Sequence, residues 1–223
     1  MPVRAIVSYD GSDNDHDAVA LGRVLWNAGA IVDLAYVRHA AEPLEAREEV
    51  AREQAQRMLA AGAVLLGAPG AGTHVALNAS TPEGLATLAS FLDADVIVFG
   101  SEYRTPPGRV RPQPSAQRLL DGGPTAIAVA PAGMRTWNDA RLDALKTVGH
   151  DDGDGAPATA ASLAAALGGG TTTDWDASDL FVLGSRRDGP PGRVTLPAAS
   201  LQRMEDATVP LIAVAAGKPL DFS

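Results

Sequence analysis

Cysteine is absent from this 223-residue sequence. Its absence excludes disulfide bonds, thiolate catalysis and zinc sites built on thiolates. Aromatic residues are also scarce: they make up 4% of the chain, whereas hydrophobic residues together make up 46%. The core must therefore consist mainly of Ala, Val, Leu and Ile, a composition that suits helices packed on a parallel sheet.

Long apolar runs are missing as well. No run approaches the ~20 residues of a membrane span, and the N-terminus lacks the apolar stretch of a secretion signal. Basic residues are outnumbered, since 18 Lys and Arg stand against 27 Asp and Glu, for a formal net charge of -9. Nucleic-acid binding depends on neutralising phosphates, so this charge argues against it. We therefore expect a cytoplasmic protein without membrane or nucleic-acid partners.

What the sequence does contain is a long internal repeat. The segment Gly100–Val110, GSEYRTPPGRV, returns 84 residues later as Gly184–Val194, GSRRDGPPGRV. A strand-like apolar run precedes each segment, at Val96–Phe99 and at Leu180–Leu183. Such a repeat indicates a duplicated α/β unit. Its loop follows the C-terminal end of a strand, where open parallel sheets bind ligands.

The first 133 residues predict a complete α/β domain. Short β-branched runs alternate with helical patterns, including a long amphipathic helix over residues 43–66. Five strands are predicted, at Val3–Val7, Ile31–Val37, Thr73–Leu77, Val96–Phe99 and Thr125–Ala130. This alternation predicts a mostly parallel sheet with helices on both faces.

Residues 134–223 repeat only part of this pattern. A strand at Leu145–Val148 and a helix at Ala156–Leu167 lead into a Gly-Gly-Gly-Thr-Thr-Thr connector, residues 168–173. The fourth and fifth strands then follow, so strands two and three are expected to be missing. We predict two domains, residues 1–133 and a truncated repeat at 134–223, named here the first copy and the second copy.

The fifth strands of the two copies are expected to pair. Thr125–Val129 and Leu211–Val214 are the two segments concerned. Unpaired strand edges need to be covered. In a duplicated chain, the edge strands of the two copies cover each other when they pair across an internal pseudo-two-fold axis. The second copy is expected to depend on this packing, because a small sheet of three strands is marginal alone.

Four segments of the first copy carry a resemblance to a known family. They are IVSYDGS at Ile6–Ser12, LAYV at Leu34–Val37, ADVIVFGS at Ala94–Ser101 and PTAIAVA at Pro124–Ala130. With these, the sequence resembles the universal stress protein family in its tandem form. The resemblance implies an open five-stranded sheet of order 3-2-1-4-5. It also implies one of two functional classes, members that bind ATP or related nucleotides and members that do not.

The nucleotide-binding class carries Gly, two residues, Gly, nine residues and then Gly-Ser or Gly-Thr after the fourth strand. Gly100 matches the first position and Ser115 the terminal hydroxyl, at a spacing one residue longer. Tyr103 and Pro114 stand in place of the other two glycines. Proline has no N–H to offer a phosphate, so this is a serious departure from the pattern.

Other residues favour nucleotide binding. Gly108 allows close approach of a backbone to a ligand, and Arg104, Arg109 and Arg111 place three cations suited to phosphate in the loop. From the resemblance, Asp10 would meet the ribose or a metal-linked phosphate. By the same resemblance, Val37 would line the adenine pocket.

The leading hypothesis is a non-enzymatic sensor that binds an adenine nucleotide such as ATP, with Mg²⁺, or a similar phosphorylated ligand in the first copy. Its predicted site consists of Asp10, Val37, Gly100, Gly108, Arg109 and Ser115. The alternatives are a structural or interaction module whose nucleotide site has decayed, without a cofactor, and a slow nucleotide hydrolase. No catalytic or metal-ligating residue is assigned. The two copies should form an internal pseudo-dimer, and a homodimer of the chain is left open.

Overall fold

The computed structural model describes residues 1–39 and 45–223. Within them, the first copy contains β1 (Arg4–Ser8), α1 (Asp13–Asn27), β2 (Ile31–His39), α2 (Glu45–Leu66), β3 (Thr73–Asn78), α3 (Thr81–Leu92), β4 (Val96–Gly100), α4 (Pro114–Leu120) and β5 (Ala126–Ala130). After a 3-10 turn at Met134–Thr136 come α5 (Asp139–Asp143), β6 (Thr147–His150), α6 (Ala156–Ala166), β7 (Gly170–Thr172), β8 (Leu180–Leu183), α7 (Ala198–Asp206) and β9 (Leu211–Ala213). The helix predicted over 43–66 corresponds to α2, and its first two residues lie outside the described residues.

All the strands of the described chain belong to one sheet, with the order β3-β2-β1-β4-β5-β9-β8-β6-β7. Neighbouring strands are parallel except for β5 and β9, which run antiparallel with Ile127 opposite Ala213 and Val129 opposite Leu211. The α/β class, the strand order of the first copy and the pairing of the two fifth strands are confirmed.

The prediction that residues 168–173 form only a connector, and that strand two is missing from the second copy, is wrong in part. Gly170–Thr172 forms β7, which pairs in parallel with β6, as β2 pairs with β1. It lies at the edge of the sheet with largely exposed residues, so it carries none of the apolar signal by which strands are predicted. The second copy, described throughout, therefore lacks a counterpart of β3 but not of β2.

Helices cover both faces of the sheet. Leu21 of α1, Leu59 of α2 and Leu163 of α6 are buried on one face. A second apolar cluster on the other face joins residues of α3, α4 and α7, including Leu85, Leu119 and Met204. Both clusters contain residues from the two copies, so the core is continuous across the β5–β9 junction.

Helix α1 begins just after β1, next to the candidate site. A turn at Asp10–Ser12 follows β1, and Asp13 and Asp15 occupy the first turn of the helix, where the helix dipole favours negative charge. The helix ends at Asn27, and Gly29, two residues later, has a φ of +90°, which favours glycine. None of the helices in the described part of the chain combines the length and the hydrophobicity that a membrane crossing requires.

Candidate ligand-binding site

A cavity of about 570 Å³ opens at the carboxyl ends of β1 and β2. It is adjacent to the point between β1 and β4 where the strand order reverses, the usual ligand position in open α/β sheets. Its lining consists of Ser8, Tyr9, Asp10, Gly11, Ser12, Asp15, Ala35, Tyr36, Val37, His39, Thr81, Gln113 and Ser115. The structure thus brings together three of the predicted site residues, Asp10, Val37 and Ser115.

Two carboxyl groups meet on one wall of this cavity. Asp10 lies at the surface and accepts a hydrogen bond from Ser12 N at 2.9 Å, whereas Asp15 is 4% exposed and accepts from Asp10 N at 2.6 Å. Burial and then the charge of Asp10 raise the pKa of Asp15 to about 8. Burial opposes ionisation of Asp10 too, but hydrogen bonds with Ser12 and Asp15 outweigh it and lower the pKa of Asp10. Near neutral pH, Asp10 is therefore ionised and Asp15 protonated.

Asp15 is a site residue that the sequence did not reveal. Its run of acidic neighbours has a sufficient explanation as the start of a helix, and burial cannot be read from that run. Tyr9, also on the cavity wall, is 3% exposed, and its hydroxyl lies 3.0 Å from Nε2 of His16. Burial, followed by the charges of Asp15 and Asp10, raises the pKa of Tyr9.

The buried carboxyl predicts a specific pH dependence for Asp15→Asn. Because the pKa of Asp15 is raised in the folded state, its stabilising contribution is complete below pH ~4 and is lost as the pH rises to about 8. Each pH unit in that window costs the wild type at most about 1.4 kcal/mol. Relative to wild type, Asp15→Asn should therefore gain stability progressively from pH 5 to pH 8 in thermal melts. Asp13→Asn, at an exposed carboxylate of the same turn, is the control, and an Asp15→Asn difference independent of pH would contradict the assignment.

Gly100 has a packing role at the end of β4. It is buried, and a Cβ at this position would overlap the backbone carbonyl oxygen of Asn14 in the first turn of α1. Glycine is therefore required for the close approach of helix and strand. Gly100 is not among the residues that line the cavity.

The repeated loop has the same geometry in both copies. Ser101 Oγ donates to Ala130 O at 2.7 Å, and Ser185 Oγ donates to Val214 O at the same distance. Further along each loop, a glycine with positive φ makes the turn, and its N–H donates to the segment after the fifth strand at 2.7 Å. These glycines are Gly108 and Gly192.

The loops end in reciprocal contacts between the copies. Arg109 donates from Nη1 to the carbonyl oxygen of Asp206, the last residue of α7, at 3.0 Å. Arg193 donates to the carbonyl oxygen of Gly122, just after α4, at 3.1 Å. The structure thus does not bring Gly108 and Arg109 to the cavity. Each arginine is a structural partner for the carbonyl end of a helix in the opposite copy, where a cation is favoured.

Comparison with solved structures identifies this architecture. A universal stress protein from Archaeoglobus fulgidus matches with a TM-score of 0.67 over 96% of this chain and 98% of that chain, at 13% sequence identity. The chain has the universal stress protein fold. A provisionally assigned universal stress protein from Pseudomonas aeruginosa matches at a TM-score of 0.57 with 9% identity, over 96% of this chain and 93% of the other. A protein of unknown function from the same species matches at 0.54 with 10% identity, over 96% and 92%. No protein-family model and no curated protein sequence matches the chain.

In the second copy of the universal stress protein fold, the aspartate after the first strand accepts hydrogen bonds from groups of that copy. Asp151 directly follows β6 and corresponds by strand register to Ser8, because Val7 pairs with Val98 and His150 pairs with Val182. Its Oδ1 accepts from Gly153 N at 3.0 Å and Gly184 N at 2.8 Å, and its Oδ2 accepts from Ser200 Oγ at 2.9 Å. Its carboxylate is thus satisfied by the protein, whereas Asp10 borders an open cavity.

A shortened turn explains this difference between the copies. Asp17 accepts from Gly133 N and Asp154 accepts from Gly217 N, each at 2.8 Å. The two glycines lie 84 residues apart, which is the spacing of the repeat, so the two aspartates correspond. Ten positions separate Val7 from Asp17, but only four separate His150, the counterpart of Val7 by strand register, from Asp154. The second copy therefore has no counterpart of Asp15. Among the residues that the structure describes, no group of three or more His, Cys, Asp or Glu is arranged to hold a metal ion.

Proposed function

We propose that this chain is a non-enzymatic sensor that binds an adenine nucleotide, or a ligand built on the same nucleoside, in the cavity of the first copy. The observation that supports it is the convergence of Asp10, Val37 and Ser115, distant in sequence, on one cavity. Its volume of about 570 Å³ falls within the range of ~300–1,000 Å³ typical of small-molecule sites.

The lining offers complementary groups for the two parts of a nucleoside. Val37 and Ala35 are both buried and form an apolar wall suited to the face of a base. The Asp10 carboxylate is an acceptor suited to ribose hydroxyls. Ser115 adds a hydroxyl that donates or accepts.

Titration calorimetry with ATP, ADP, AMP and adenosine tests the proposal. We expect one ligand per chain. Val37→Ala should weaken binding about five- to ten-fold through lost apolar contact, and Asp10→Ala about ten-fold or more through a lost charge-assisted hydrogen bond. Val75→Ala is the matched control, because Val75 packs on the other face of the sheet.

Two results would contradict the proposal in different ways. Two equivalent sites per chain would show that the second copy also binds, despite the internal contacts of Asp151. No binding of any of the four compounds would favour the alternative of a structural or interaction module.

A further inference from the structure

The walls of the cavity carry negative and not positive charge. Asp10, ionised near neutral pH, lines it beside protonated Asp15, and His39 is the one described lining side chain able to carry a positive charge. No described Lys or Arg side chain contributes to the lining.

The neighbouring surface is no more favourable to an anion. A second cavity of about 270 Å³ is lined by Asp13 and Asp17 at the start of α1 and by residues of the segment after β4, including Glu102. Its cation is Arg135, which already lies 3.1 Å from carboxylate oxygens of both Asp13 and Asp17. This arginine is therefore neutralised by the protein itself.

Two loop arginines predicted to hold phosphate are also engaged elsewhere. Arg109 donates to the carbonyl oxygen of Asp206. Arg104 lies over the ring of Tyr103, with its guanidinium carbon 5.0 Å from the ring centroid. Neither of them lines the cavity, and the third predicted arginine, Arg111, does not line it either.

We propose that the site selects an uncharged ribonucleoside and disfavours nucleoside polyphosphates. This inference rests on the proposed function and names the ligand class of that same site. A triphosphate would bring several negative charges next to Asp10, where no Lys or Arg of the described residues lines the cavity to compensate them, and such like-charge contacts are strongly unfavourable. A ribose, in contrast, brings hydroxyl donors to an acceptor-only carboxylate. Ionised Asp10 beside protonated Asp15 fits such a ligand.

The test compares adenosine, AMP and ATP by calorimetry at pH 7 and low salt, with EDTA and then with Mg²⁺. In EDTA we expect adenosine to bind at least about ten-fold tighter than ATP, with AMP between them. Asp10→Asn should narrow the ratio of adenosine to ATP affinity, because it removes the repelling charge. Asp188→Asn, an equal charge change at an exposed side chain of the second copy, should leave the ratio unchanged.

Three outcomes would overturn the inference. ATP binding as tightly as adenosine in EDTA would show that the phosphates find compensating groups. ATP binding more tightly than adenosine once Mg²⁺ is added would show that a metal makes the site a polyphosphate site. If none of the three compounds binds under either condition, the proposed function itself fails, and this inference with it.

Discussion

Gly100→Ala is expected to lower the free energy of unfolding by about 3 kcal/mol or more. The added Cβ would overlap the backbone carbonyl of Asn14. The atoms it meets belong to the backbone of α1, which cannot rotate aside as a flexible side chain could. The measurement is urea denaturation at equilibrium, supported by the yield of folded protein if the variant is too unstable to titrate.

The matched control for Gly100→Ala is Gly70→Ala. Gly70 has open space where a Cβ would be and does not adopt a positive φ. This exchange should change stability by less than about 1 kcal/mol. Similar effects of the two exchanges would show that the helix–strand contact at Gly100 yields more easily than its geometry indicates.

Residues 134–223 expressed alone should fail to fold cooperatively. Removing the first copy exposes the edge of β9 that pairs with β5 and opens both apolar clusters, which contain residues of both copies. It also removes the Gly122 carbonyl that accepts from Arg193. Circular dichroism melts of this fragment should show a broad transition, whereas the full chain should show a sharp one.

A sharp two-state melt of the monomeric fragment would contradict this dependence. Analytical ultracentrifugation is the necessary companion measurement. Self-association of the fragment would provide a substitute partner for the exposed edge of β9, and would then explain a sharp melt without independent folding.

The sequence was informative about the fold wherever side chains report burial. The apolar runs of the central strands, such as Val96–Phe99, predict buried parallel strands, and the duplication predicts that β5 meets β9. The edge strand β7 was missed because Gly170–Thr172 is held by backbone pairing and has no apolar side chain. Backbone pairing without burial leaves no pattern in the residues.

For the candidate site, the sequence identified the position but not the orientation of the loop. A Gly/Pro/Arg segment after a strand has the same appearance whether it faces a ligand or a neighbouring domain. The contact of Arg109 with the Asp206 carbonyl joins residues far apart in the chain and requires no particular side chain at Asp206. The burial of Asp15 is likewise a property of the packed turn and not of the acidic run that contains it.

The antiparallel junction of β5 and β9 has a consequence for how this molecule assembles. Two separate chains joined by the same strands would dissociate on dilution according to mass action. Here the covalent connection keeps the partner edge at a high effective concentration, so the junction persists at any dilution. Because the two partners are encoded separately, substitutions in one need not occur in the other, as they must in a symmetric homodimer. The chain can therefore keep an open cavity beside Asp10 while Asp151 of the second copy is held by hydrogen bonds within that copy.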